Sequence, residues 1–183
     1  MTLSALGIFS AAGAGGAPTS DYELLETQIL GSEQSSVVFS NLNTYASTYK
    51  HLQIRMVSRL SFTATTTDQL MRFNGVTSSS YAGHRLVGNG SSVFANARSG
   101  SSSMFIGLVD GAQFTTAVID VLDFTGTKNK TVRSFTGVNG GVSELMLTSG
   151  LFDSTAAITS LTLFPPVYNY VVGSRFSLYG IKG

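Results

Sequence analysis

The chain contains no cysteine and no tryptophan, only three prolines, and few charges. The missing cysteines exclude disulfides, zinc thiolate sites and thiol catalysis, and they leave the redox compartment open. Without cysteine or tryptophan the hallmark pattern of antibody-type domains is also absent. Charged side chains make up 11% of the 183 residues, against about 25% in ordinary soluble domains. Eleven basic and ten acidic residues give a net charge of +1. That balance excludes an electrostatic nucleic-acid binder, which would carry a basic stripe. A surface so thinly charged is weakly guarded against association. Either neutral polar groups keep it soluble, or partner chains cover much of it. No apolar run reaches the ~20 residues of a transmembrane helix, so no membrane partner is expected.

What charge there is begins late. Residues 1–20 (MTLSALGIFSAAGAGGAPTS) have none at all. Residues 4–12 have a short amphipathic helical pattern, which Gly13, Gly15, Gly16 and Pro18 would end. A helix that short is marginal in water, so its order must come from a partner surface or from the body. No Lys or Arg precedes the apolar part, unlike a secretory signal. These residues read as an apolar arm whose docking side chains are Leu3, Leu6, Ile8 and Phe9.

Residues 21–183 read as one domain, large enough to bury about 70% of its unfolded surface without a staple. Strand signals recur at 23–30, 37–39, 51–59, 70–73, 84–87, 104–109, 115–124, 131–137, 144–148, 158–164 and 175–181. Alternation is clearest where Leu52, Ile54 and Met56 share one face and Gln53, Arg55 and Val57 the other. The separators are turn pairs such as Asn74-Gly75 and Asp110-Gly111. The expected fold is all-β: a single antiparallel β-sandwich of jelly-roll type with an extended N-terminal arm. Two segments, 63–68 and 88–103, read as loops rich in small polar residues. Residues 165–172 (PPVYNYVV) read as a connection that carries two tyrosines.

Chemistry is hard to find. His51 and His84 match no metal-ligand spacing, so no metal or cofactor is expected. Asp120 and Asp123, three apart on one strand, point to opposite faces and suit salt bridges with Arg133 or Lys130 better than paired-carboxylate catalysis. No nucleophile elbow or phosphate loop is present. The chain therefore reads as non-enzymatic. Tyr81, Tyr168 and Tyr170 are the candidates for stacking on a glycan or anchoring a protein partner, and sequence does not separate those two uses.

Several segments resemble those of tailed-bacteriophage virion proteins, namely 21–30 (DYELLETQIL), 49–59 (YKHLQIRMVSR), 70–75 (LMRFNG), 81–90 (YAGHRLVGNG), 128–137 (KNKTVRSFTG), 154–165 (STAAITSLTLFP) and 173–182 (GSRFSLYGIK). The resemblance implies a structural virion part, assembled in the host cytoplasm, such as a tail-fibre or neck-appendage protein docked through its arm. Its partners would be capsid, neck or tail proteins, with a homo-oligomer, trimer favoured, and a possible host surface glycan. A capsid decoration (cement) protein is the first alternative, and a carbohydrate-binding module the second. The resemblance transfers no catalytic residue.

Overall fold

The computed structural model describes residues 20–63, 66–140 and 142–183. The arm residues Leu3, Leu6, Ile8 and Phe9 lie outside them. Twelve strands follow in order: β1 (Tyr22–Ile29), β2 (Val37–Phe39), β3 (His51–Ser58), β4 (Thr66–Phe73), β5 (Tyr81–Gly88), β6 (Val93–Ser101), β7 (Met104–Asp110), β8 (Thr115–Leu122), β9 (Lys130–Asn139), β10 (Ser143–Phe152), β11 (Leu161–Phe164) and β12 (Arg175–Ile181). A short 3-10 helix, Leu42–Tyr45, joins β2 to β3. The strands form an eight-stranded sheet, β1-β12-β3-β8-β9-β10-β5-β6, and a four-stranded sheet, β2-β11-β4-β7. All pairings are antiparallel. The protein is a two-sheet β-sandwich of jelly-roll type.

The alternation in β3 places its residues as expected: Leu52, Ile54 and Met56 are buried between the sheets, while Arg55 and Val57 face outward. Ile119 and Val121 of β8 and Phe176 and Leu178 of β12 line the same core. From the small sheet come Phe39, Met71, Phe73, Leu161 and Leu163. Ser134 Oγ and Thr136 Oγ1 in β9 both donate to the Ile106 carbonyl of β7, tying the sheets together with polar bonds inside the core. Such bonds satisfy groups whose burial would otherwise be costly.

Two expected loops are corrected. The 88–103 segment contains β6, and β4 starts at Thr66 within 63–68. In β6 every residue from Val93 to Gly100 is exposed, so no inward face existed for a hydrophobic alternation to mark. The ladder to β5 orders it. Of the two aspartates expected to pair with a cation, Asp120 accepts from Gln53 Nε2 at 2.8 Å within the sheet surface, and the Asp123 carboxylate favours the charged form of Lys130. His51 is structural, its Nδ1 accepting the Asp123 backbone N–H at 2.8 Å.

Candidate functional site

The segment after Pro165-Pro166 carries two tyrosines with opposite fates. Two isolated bridges pin Tyr170, one to Gln34 and one to Leu60. Its ring is fully buried, edge-on to Phe176 at 4.9 Å, and Gln69 Nε2 donates to its hydroxyl. Tyr81 is also in the core, where its hydroxyl accepts the Phe73 N–H at 3.0 Å and its ring stacks on Phe152. The expectation that these two rings meet a glycan is therefore corrected: the hydrophobic effect and their own hydroxyl bonds hold both inside.

Burial pushes the Tyr170 hydroxyl pKa well above the usual tyrosine value, with the Gln69 bond opposing it weakly. A phenol harder to ionise in the folded state than in the unfolded one stabilises fully below pH 10 and loses that contribution as pH rises beyond it. Unfolding free energy should then fall above pH 10 by up to about 1.4 kcal/mol per pH unit from this residue. Denaturant titrations between pH 9 and 11.5 should show a shallower fall for Tyr170→Phe than for the parent. An equal slope would refute the assignment.

Tyr168 stands alone among the three in facing solvent, at 45% exposed. Its φ of +64° lies in the left-handed region, uncommon for a non-glycine residue and an outlier for a bulky one. The strain is held by the backbone that follows it. Ser61 N–H donates to the Asn169 carbonyl at 2.8 Å, Asn169 N–H donates to Ser61 Oγ at 3.2 Å, and Val171 N–H donates to the Arg59 carbonyl at 2.9 Å. The left-handed turn swings the ring outward onto Phe62, 47% exposed, and the two stack at 4.8 Å with 12° between planes.

Gly111 holds the other side of this platform. A Cβ there would stand 1.8 Å from the Phe62 carbonyl oxygen, so only glycine lets the Phe62 backbone pass. Arg59 Nη1 donates to the Gly111 carbonyl at 3.0 Å, and its guanidinium lies 5.5 Å from the centre of the exposed Phe114 ring. Asn169 Nδ2 reaches Glu33 Oε2 at 3.4 Å. The loop end thus combines two stacked solvent-facing rings with an amide, a carboxylate and a hydroxyl at their rim. Sequence reasoning reached Tyr168 but missed Phe62, whose only signal is a lone phenylalanine among Ser and Thr in a non-periodic stretch.

A cleft lies under the overhanging β5–β6 pair, lined by Arg85, Asn96, Arg98, Phe105 and Thr148 among others. Two of its arginines are committed, while the Thr148 hydroxyl in its lining is buried with no hydrogen-bond partner among the described residues. Arg85 Nε donates to Asn96 Oδ1 at 2.8 Å, Arg98 pairs with Asp68 at 2.8 Å, and both guanidinium groups lie within 5.2 Å of the Phe105 ring centre. Among the described residues, no group of three or more His, Cys, Asp or Glu side chains is placed to hold a metal ion.

No protein-family model matches the chain, and no curated protein matches it. Among solved structures it is similar to the Ruminococcus gnavus IT-sialidase CBM40 bound to alpha2,3 sialyllactose, at 14% identity and a TM-score of 0.35, over 85% of this chain and 89% of that one. The same module bound to alpha2,6 sialyllactose aligns at 12% identity and a TM-score of 0.32, over 85% and 90%. TM-scores of this size carry no argument about function. Neither structure is a virion protein, and no family model or curated protein ties the chain to one, so the virion reading is corrected. The tail-fibre, neck-appendage and cement roles, the capsid, neck or tail partners with their trimer, and the virion location all go with it. The physical reason lies in the quoted segments: 21–30, 49–59 and 173–182 are β1, β3 and β12 with their flanks, three neighbouring ladder strands. Alternation and turn residues of that kind serve any sandwich.

Proposed function

We propose that this chain is a non-catalytic glycan-binding module, with residues 21–183 as the binding domain and the Phe62–Tyr168 platform as its contact. The observation that carries the reading is a bulky aromatic held in a left-handed backbone conformation with its ring toward solvent. Strain of that kind costs of order 1–3 kcal/mol and persists where the surroundings enforce it, most often at ligand clamps and similar sites. The apolar C–H face of a pyranose matches the open face of an aromatic ring. Its hydroxyl rim requires directional partners; beside the rings Asn169, Glu33 and Ser61 are bonded to one another and keep further donor and acceptor capacity for it. Bound shallowly on rigid loops, a sugar would be held without any group placed to cleave it.

The full chain applied to a panel of immobilised oligosaccharides, including α2,3- and α2,6-sialyllactose, should bind at least one glycan saturably and release no reducing sugar. Absence of saturable binding across acidic and neutral glycans would overturn the reading.

A further inference from the structure

The outward face of the large sheet carries an apolar row that nothing among the described residues covers. Register places Val118, Phe135, Leu147 and Leu86 directly beside one another across β8, β9, β10 and β5. Leu145 and Val57 flank the row from the next line of the ladder, linked through Gly137 and Thr116. These six side chains are between 38% and 53% exposed. The largest contiguous apolar patch on a single chain is often functional. Five aliphatic side chains and one phenyl ring, with only Thr116 and Gly137 between them, suit neither the hydroxyl rim of a sugar nor open water. The small sheet treats its own outer aromatic differently: Arg72 lies 4.4 Å from the centre of the Phe164 ring. On the large sheet the nearest arginine in the row, Arg55, instead lies over Tyr22 and Tyr179.

The geometry points to residues 1–19 of the same chain as the cover for this row. Three observations select that occupant. The segment has no charged side chain, and its Leu3, Leu6, Ile8 and Phe9 match an uncharged aliphatic row. It joins the body at β1, an edge strand of the same sheet, and Tyr22 at the start of β1 stacks on Tyr179 of the outward face. It is also long enough. The row begins three strands from β1 and ends six strands away, about 14 to 29 Å at the usual strand spacing. Four residues along the strands separate it from the Tyr22 line, about 13 Å more. Nineteen extended residues span about 60 Å, more than the distance across the row. This inference is independent of the glycan reading.

The absence of native cysteine makes the test clean. In full-length chain, Leu6→Cys is combined with Ser149→Cys on the outward face, or with Val38→Cys on the small sheet, and each pair is treated with a short bis-maleimide. The first pair should crosslink within one chain at least tenfold more than the second. Adding Phe135→Glu should bring it down to the control level, and Leu147→Ser replaces that substitution if the melt shows it unfolded. Removing residues 1–19 should raise the fluorescence of a hydrophobic-surface dye several-fold. Equal yields for the two pairs, crosslinks only between chains, or a yield unchanged by the row substitution would each overturn the proposal.

Discussion

Tyr168→Gly should abolish glycan binding while leaving the protein as stable as its parent or slightly more so. Truncating a central aromatic anchor typically costs 2 kcal/mol or more of binding, about a 30-fold loss. The stability side runs the other way. Tyr168 has a φ of +64°, and a left-handed backbone costs a non-glycine residue roughly 1–2 kcal/mol. Glycine relieves that cost and forfeits the Phe62 stack, worth about 0.5–1.5 kcal/mol. Tyr168→Ala loses the stack and keeps the strain, so it should be about 1 kcal/mol less stable than the glycine variant. Both should lose binding equally. Binding isotherms and urea titrations on the three proteins separate the effects. Retained binding in either variant would remove the platform as the site. A fall in stability in step with binding would make Tyr168 a structural residue only.

The largest loss of stability is expected at the other end of the sandwich, from Phe152→Ala. Phe152 closes β10 opposite Tyr81 of β5, and its ring stacks on Tyr81 at 4.9 Å and meets Phe73 of the small sheet at 5.4 Å. Tyr81 in turn bonds to the Phe73 backbone. Three rings thus join the two sheets, and removing the middle one leaves a cavity between layers that backbone ladders hold apart. Phe→Ala in a core costs about 3–5 kcal/mol, a large share of the 5–15 kcal/mol typical of a whole domain. At about 2–4 °C per kcal/mol for a chain of this size, Tm should fall by roughly 6–20 °C. A fall of less than 1 kcal/mol in a urea titration would mean that the rings collapse onto one another and do not tie the sheets.

Leu52, Ile54 and Met56 show what was legible in the sequence. A strand with one buried face writes that face into every second residue, and β3 does so. β6 writes nothing, because it overhangs the small sheet and buries no side chain from Val93 to Gly100. Its existence depends on β5, with which it pairs from Gly88 opposite Val93, across a tight turn, out to Tyr81 opposite Ser101. Tyr168 and Tyr170 mark the limit for the site. They share a residue type and a loop, and the parity that sends one ring out and the other in is set by a single left-handed residue and by pairing with Gln34 and Ser61. Those partners lie over a hundred positions away in the chain, beyond the reach of any local pattern. Phe62 was silent for the same reason, since its partner in the stack comes from that distant loop.

The first and last strands of the sandwich are neighbours. β1 pairs with β12 from Tyr22 opposite Ile181 to Ile29 opposite Arg175, and Lys182 N–H donates to the Asp21 carbonyl just outside. The chain therefore enters and leaves at one point on the rim. A pull applied through flanking chain at both ends would load this ladder as a zipper, one pair at a time from Tyr22, not as a shear shared along its length. The Tyr22–Tyr179 stack with Arg55 lying over it sits at the point where that opening starts. Under tension this clasp, and not the core, would set the force at which the sandwich first gives way.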